Sequence, residues 1–193
     1  MDLPAVSAGQ MVAILICVAI AIVGAAILFF VRRRRTQQLR NQFGSAEYTR
    51  AMKEAGSQRK AESELNKRAE RVEGLHIQPL ASGDRVRFVD SWARVQARFV
   101  DSPGAAVTDA DQLLSEVMSM RGYPVSDFEQ RVADISVDHP LVLDNYRAAH
   151  QVALRQTRGQ ASTEELRQAM IHCRTLFEDL LREPGTARAA AAS

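Results

Sequence analysis

The sequence predicts an all-α fold: one apolar N-terminal helix, a polar basic connecting helix, and a C-terminal bundle of about five short helices. Three observations carry this prediction. Met11–Val31 is an unbroken run of 21 residues without a charge. Beyond residue 80, apolar residues recur at three- and four-residue steps. Nowhere do apolar and polar residues alternate as they do in a half-buried strand.

At about 1.5 Å rise per residue the first run is about 31 Å long as a helix, the thickness of a bilayer's hydrocarbon core. It is apolar on every face, whereas a core helix of a globular domain is usually striped. A cleavable signal peptide needs a basic leader and a shorter apolar core. The leader, residues 1–10, has no Lys or Arg, and Ile16 before Cys17 is not the small residue of a lipoprotein signal. The run therefore reads as a transmembrane helix over residues 11–31. Arg32, Arg33, Arg34, Arg35 and Arg40 crowd one end of it, which places the leader outside and the rest of the chain in the cytoplasm, tethered to the cell membrane in a single pass. The same five arginines are the candidate membrane-surface residues, facing anionic headgroups of the lipid bilayer. Ala19, Ala21, Gly24, Ala25 and Ala26 form a patch of small residues against which a second helix could pack, although no strict Gly-x-x-x-Gly pair is present.

Residues 32–79 form the connector. Residues 32–73 hold 12 Lys/Arg against 6 Asp/Glu, net +6. Gly44-Ser45 breaks its helical pattern, and Ser45 is a suitable cap for a new helix. Ala61, Leu65, Arg68, Val72 and Leu75 follow heptad spacing, but over too few repeats, and with one arginine in the seam, to make a firm coiled coil. The segment reads as a solvated helix that either docks one thin stripe on the following domain or pairs with a second copy. A homo-oligomer through the anchor or the connector is one expected partner arrangement. Gly74 and Pro79 end the segment.

The domain over residues 80–183 is helical throughout. Phe88, Trp92, Val95 and Phe99 make one stripe, widened by Val89 and Val100, and Asp101-Ser102-Pro103-Gly104 stops it. Val107, Ala110, Leu113, Leu114, Val117 and Met118 make the next, ending at Gly122, which suits the left-handed residue after a helix. Ser126 with Glu129 is a capping-box pattern opening a short helix that buries Phe128, Val132 and Ile135. Asp138-His139-Pro140 starts another, with Val142, Tyr146, Ala149 and Ala153 inside. The last begins near Ser162 and buries Leu166, Ala169, Met170, Cys173, Phe177 and Leu180. Pro184-Gly185 ends it, and the alanine-rich tail, residues 184–193, is expected to be disordered.

Chemistry-bearing patterns are sparse. Residues 84–183 hold 12 Arg and no Lys against 16 Asp/Glu, net −4, which weighs against nucleic acid as the domain's partner. Cys17 and Cys173 lie in different segments, so no disulfide framework is implied. His76, His139, His150 and His172 never fall four apart, and there is no His-Glu-x-x-His or Cys-x-x-Cys motif, so no metal site is expected. Asp138-His139 invites an acid–base reading, but the plainer reading is that Asp138 caps a helix whose first turn holds His139. Trp92 reads as a core anchor. Asp101, Asp109 and Asp111 lack calcium-loop spacing and suit a helix N-terminus. Hence no catalytic, cofactor-binding or metal-ligating residues are assigned.

The run FVDSPGAAVTDADQLLSEVMSMRGYPVSDFEQRVADISVDHPLVLDNYRAAH, with its FVDSP, RGYP and SVDHP turns, resembles an uncharacterised family of bacterial single-pass membrane-anchored proteins with a helical cytoplasmic domain. The resemblance covers most of residues 44–182. It implies a bacterial source and the anchor-plus-domain layout, and it implies no activity or cofactor. The expected function is accordingly a membrane-tethered, non-enzymatic interaction module whose domain over 80–183 binds a protein partner. Two alternatives remain open on the sequence. One is an enzyme built from His139 and His150 with scattered carboxylates; the other is a binder of anionic lipid or nucleic acid through the basic connector.

Overall fold

The computed structural model describes residues 8–124 and 127–182, the side chains of residues 8–20, Leu28 and Arg32 excepted. Among the described residues seven α-helices follow one another: α1 (Ala8–Ala55), α2 (Gln58–Glu73), α3 (Ser82–Asp101), α4 (Pro103–Met120), α5 (Phe128–Ile135), α6 (Leu143–Gln156) and α7 (Thr163–Leu180), with a 3-10 turn at Pro140–Val142 before α6. No strand occurs among the described residues. Of the expected leader over residues 1–10, residues 1–7 lie outside the described residues and 8–10 already belong to α1; the cap at Ser126 and the tail over 184–193 also lie outside them.

The expected membrane-spanning helix needs correction. Among the described residues no helix is long and apolar enough to cross a membrane. The apolar side chains of Ile22, Val23, Ile27, Phe29, Phe30 and Val31 are exposed and lead straight into the arginines. Past them the helix does not stop. It continues through Arg33, Arg34 and Arg35 into a packed segment. The described residues therefore do not support a single-pass membrane layout.

The connecting segment also differs from a solvated linker. Gly44 breaks α1 with φ +74°, a left-handed conformation that glycine adopts without a Cβ penalty. On either side of the break, Leu39, Phe43, Tyr48 and Ala51 are buried against Ala61, Leu65 and Val72 of α2 and against Val137. The thin heptad stripe of α2 is thus filled by this chain's own α1. The polar seam of this hairpin is Glu62, which accepts from Thr36 at 2.7 Å, Tyr48 at 3.0 Å and Gln58 at 2.8 Å. Burial pushes the Glu62 carboxyl up, and those donors together with Arg35 overcome it and hold it below its ordinary value.

The main core lies among α3, α4, α6 and α7 and contains the stripes read from the sequence: Phe88, Trp92 and Val95; Val107 to Met118; Tyr146 and Ala149; Leu166 to Leu180. Trp92 stacks on Phe177 with ring centroids 4.9 Å apart, as a core anchor would. Val89 and Val100 do not join it; they are exposed on the far side of α3. Ser162 and Glu165 form a reciprocal capping box at the start of α7. At α5 the cap is Asp127, whose side chain accepts from the backbone N–H of Gln130 at 2.8 Å.

Gly122 fixes the crossing of the hairpin's exit strap over the bundle. Its φ is +98°, and a Cβ there would lie 2.3 Å from the carbonyl oxygen of His76. The close approach lets the backbone N–H of Gln78 donate to the Arg121 carbonyl at 2.9 Å.

Candidate functional site

The RGYP and SVDHP turns meet in space. Arg121 ends α4 and is the largest fully buried side chain, 1 % exposed. Its Nη1 donates to the Leu180 carbonyl at 2.9 Å, supplying one of the partners that the last turn of α7 lacks. The same Nη1 lies 3.3 Å from Nε2 of His139, and Nδ1 of His139 lies 2.6 Å from Oδ2 of Asp179. A guanidinium can only donate. Nε2 must then accept, so the network selects the neutral imidazole whose Nδ1–H donates to Asp179. One step away, the Tyr123 hydroxyl donates to Asp138 at 2.9 Å.

This arrangement corrects the reading of Asp138 as a helix cap. Its carboxylate holds Tyr123, while His139 sits at the entrance of the 3-10 turn without a side-chain cap bond. An Asp–His pair also has the outline of an acid–base dyad. Here Nε2, the atom that would take a substrate proton, faces a buried arginine, and His139 is only 5 % exposed. The geometry suits a neutralised cross-brace among α4, the 3-10 turn and α7.

His150 lies elsewhere and shares no partner with His139. Its ring stacks on Phe128 with centroids 3.5 Å apart, its Nδ1 is buried without a partner, and burial holds the imidazole below its ordinary pKa. Cys173 is buried in the α7 stripe and its thiol is pushed up to about 12, chiefly by burial, so it is not a thiolate near neutral pH. Among the described residues no group of three or more His, Cys, Asp or Glu side chains is placed to hold a metal ion.

The arginines assigned to a membrane surface divide. Arg33, Arg34, Arg35 and Arg40 are exposed on α1; the side chain of Arg32 lies outside the described residues. Arg34 covers the Phe30 ring at 4.5 Å and Arg40 covers Tyr48 at 4.8 Å. The basic connector is therefore partly engaged with its own aromatic rings and with Glu62.

Open to solvent is a cleft of about 640 Å³ between the hairpin and α5–α6. Its apolar side is formed by Phe128, Val132, Ala133 and Ala148, and its charged groups are Arg50, Glu54, Arg68, Glu129, Asp144 and Arg147. Next to it Glu47, 4 % exposed, accepts from Arg68 at 2.8 Å and from Arg147 at 2.7 and 3.1 Å. With Arg68 and Arg147 committed to Glu47, and Asp144 lying 3.7 Å from Arg50 and 3.8 Å from Arg147, the lining charges left outside these ion pairs are Glu54 and Glu129. The cleft is acidic. Nothing local in the sequence marks it, because its walls come from residues 50–68 and 128–151; the one available signal was Arg68 in an otherwise apolar seam.

Comparison of the chain with protein-family models, curated proteins and solved structures finds no match.

Proposed function

We propose that this chain is a non-enzymatic helical interaction module, and that its cleft between the α1–α2 hairpin and α5–α6 receives a segment of a protein partner. The observation that carries the reading is the cleft itself. It joins an apolar wall, Phe128, Val132 and Ala133, to the acids Glu54 and Glu129 on its rim, the composition that suits an apolar side chain flanked by basic ones. The reactive side chains lend themselves to structure: His139 is braced on two sides and Cys173 is buried as a neutral thiol.

The test is co-purification with the full chain and with a Glu54→Lys/Glu129→Lys variant. Both positions are exposed, so the variant should keep its helical circular dichroism and melting temperature. The reading expects one dominant protein bound to the unaltered chain and lost from the variant. Identical partner sets from the two proteins overturn it.

A further inference from the structure

Helix α3 carries two apolar faces, and the bundle uses only one. Phe88, Trp92 and Val95 point into the core. On the other side Val86, Val89 and Val100 are 62, 49 and 81 % exposed, and Ala93 and Ala97, also exposed, complete the line. At 100° per residue these five positions fall within one stripe about 80° wide. Isolated exposed apolar residues are ordinary, but a surface helix gains nothing from valine. It is a weaker helix former than Ala, Glu or Lys, and its stiff branched side chain is favourable where it is packed. Three exposed valines aligned on one face therefore point to burial by something outside this chain.

The pattern specifies what that is. The stripe has the spacing three, four, four, three and is symmetric about Ala93. If a second α3 lies antiparallel on the first, Val86 meets the partner's Val100, Val89 meets the partner's Ala97, and Ala93 meets the partner's Ala93 on the two-fold axis. The flanking charges obey the same symmetry. Arg87, Asp90, Arg94 and Asp101 all lie on one side of the stripe, and equivalent sides face each other in an antiparallel pair. Asp90 then comes beside the partner's Arg94 and Arg87 beside the partner's Asp101, each pair twice. Neither Asp90 nor Asp101 has an ion-pair partner among the described residues. In a parallel pair opposite sides of the stripe would face each other, and neither of these ion pairs would form.

We infer that α3 is a self-association surface, on which a second copy of this chain docks antiparallel about Ala93. The interface is isologous and therefore closes at a dimer. A contact of about four helical turns lies at the small end of specific interfaces, so the dimer is reversible, with a dissociation constant on the order of micromolar or weaker. The surface is separate from the cleft and does not depend on its function.

Two measurements test it on the full chain. Sedimentation over a range of concentrations should show a monomer–dimer equilibrium that Ala93→Glu weakens by about tenfold or more, because it sets like charges against each other on the axis. Asp90→Arg should weaken it as well, and Asp90→Arg combined with Arg94→Asp should restore it. In a Cys17→Ser background, Ala93→Cys should give a covalent dimer under mild oxidation, whereas Gln112→Cys on α4 should not. Positions 90, 93, 94 and 112 are exposed, and unchanged melting curves exclude misfolding as the cause. A monomer at every concentration, or a dimer indifferent to Ala93→Glu and cross-linked equally through position 112, overturns the inference; the last result would assign association to another segment such as α1.

Discussion

Arg147 reaches Glu47 across 100 residues of chain, donating from Nη1 at 2.7 Å and from Nη2 at 3.1 Å in a two-pronged contact. Arg68 completes the enclosure at 2.8 Å. One buried carboxylate thus joins α1, α2 and α6, and the hairpin is bolted to the bundle by charge where its apolar contacts are few. Two-pronged guanidinium–carboxylate bonds are the strong class of ion pair because both donors are aligned and charge-assisted.

Replacing Glu47 by Gln is expected to cost about 3 kcal/mol or more, since it leaves two arginines facing a neutral group in a mostly buried site. Urea unfolding of the full chain measures this. Cysteine accessibility at an introduced Leu65→Cys would show whether the hairpin loosens first. A loss below about 0.5 kcal/mol would mean that the contact behaves like an exposed ion pair.

Acid should act at the same point. Burial pushes the Glu47 carboxyl up, but hydrogen bonds and charge from Arg147 and then Arg68 outweigh it, and the group titrates below its ordinary 4.5. A carboxylate lowered on folding stabilises fully above its unfolded value and loses that contribution as pH falls through the folded one. The stability of the unaltered chain should therefore fall more steeply below pH 4.5 than that of Glu47→Gln. Parallel acid profiles for the two would contradict this.

Asp134 should respond in the opposite direction. It is 2 % exposed on α5, and burial raises its pKa above the ordinary 3.8 despite a bond from Gln130 and the nearby Arg71. A group raised on folding contributes fully below its unfolded value, and the contribution is lost as pH rises through the folded one. Ionising the buried Asp134 carboxyl as the pH rises is thus a cost. Asp134→Asn is expected to keep or raise the melting temperature at pH 7, with the difference shrinking toward pH 4. A drop of several degrees at pH 7 would show that the Arg71 contact, 3.1 Å long, outweighs the burial.

Gly122→Ala tests the strap. The added Cβ would be placed 2.3 Å from a backbone oxygen in a left-handed conformation, and backbone cannot swing aside as a side-chain tip can. A loss of about 2 kcal/mol or more is expected, with faster hydrogen exchange at the Gln78 amide. Gly159→Ala makes the comparison: that glycine has φ +67° but nothing within 4 Å, so it should lose only the conformational part, about 1 kcal/mol.

Periodicity revealed the bundle because burial there is local in sequence. Val107, Ala110, Leu114 and Val117 repeat with the helix, and each is buried. Ser162 and Glu165 are three residues apart, within reach of a sequence rule. The polar interior left no such trace. Glu47 and Arg147 are distant in sequence, and Arg121 finds its acceptor 59 residues away at Leu180, so each reads locally as a surface charge. The RGYP and SVDHP turns stood out as strings, but their meeting through Arg121 and His139 is a property of the fold. Val89 and Val100 misled for the related reason that a helical stripe reports apolarity and not what covers it.

The Arg121 network separates a structural brace from an additive set of contacts. Arg121→Met removes the donor to the Leu180 carbonyl and leaves Asp179, hydrogen-bonded to His139, without the buried positive charge beyond it. Breaking a buried pair from one side costs about 3–5 kcal/mol. Arg121→Lys should lose less, because an ammonium can still serve one acceptor. The double variant Arg121→Met/Asp179→Asn removes the buried charge together with its counterpart, so its loss should be smaller than the sum of the two single losses by about 1 kcal/mol or more. Urea denaturation of the four proteins gives that coupling directly. Strict additivity would mean that His139 does not transmit charge between them, and that Arg121 acts only as a distant cap for α7.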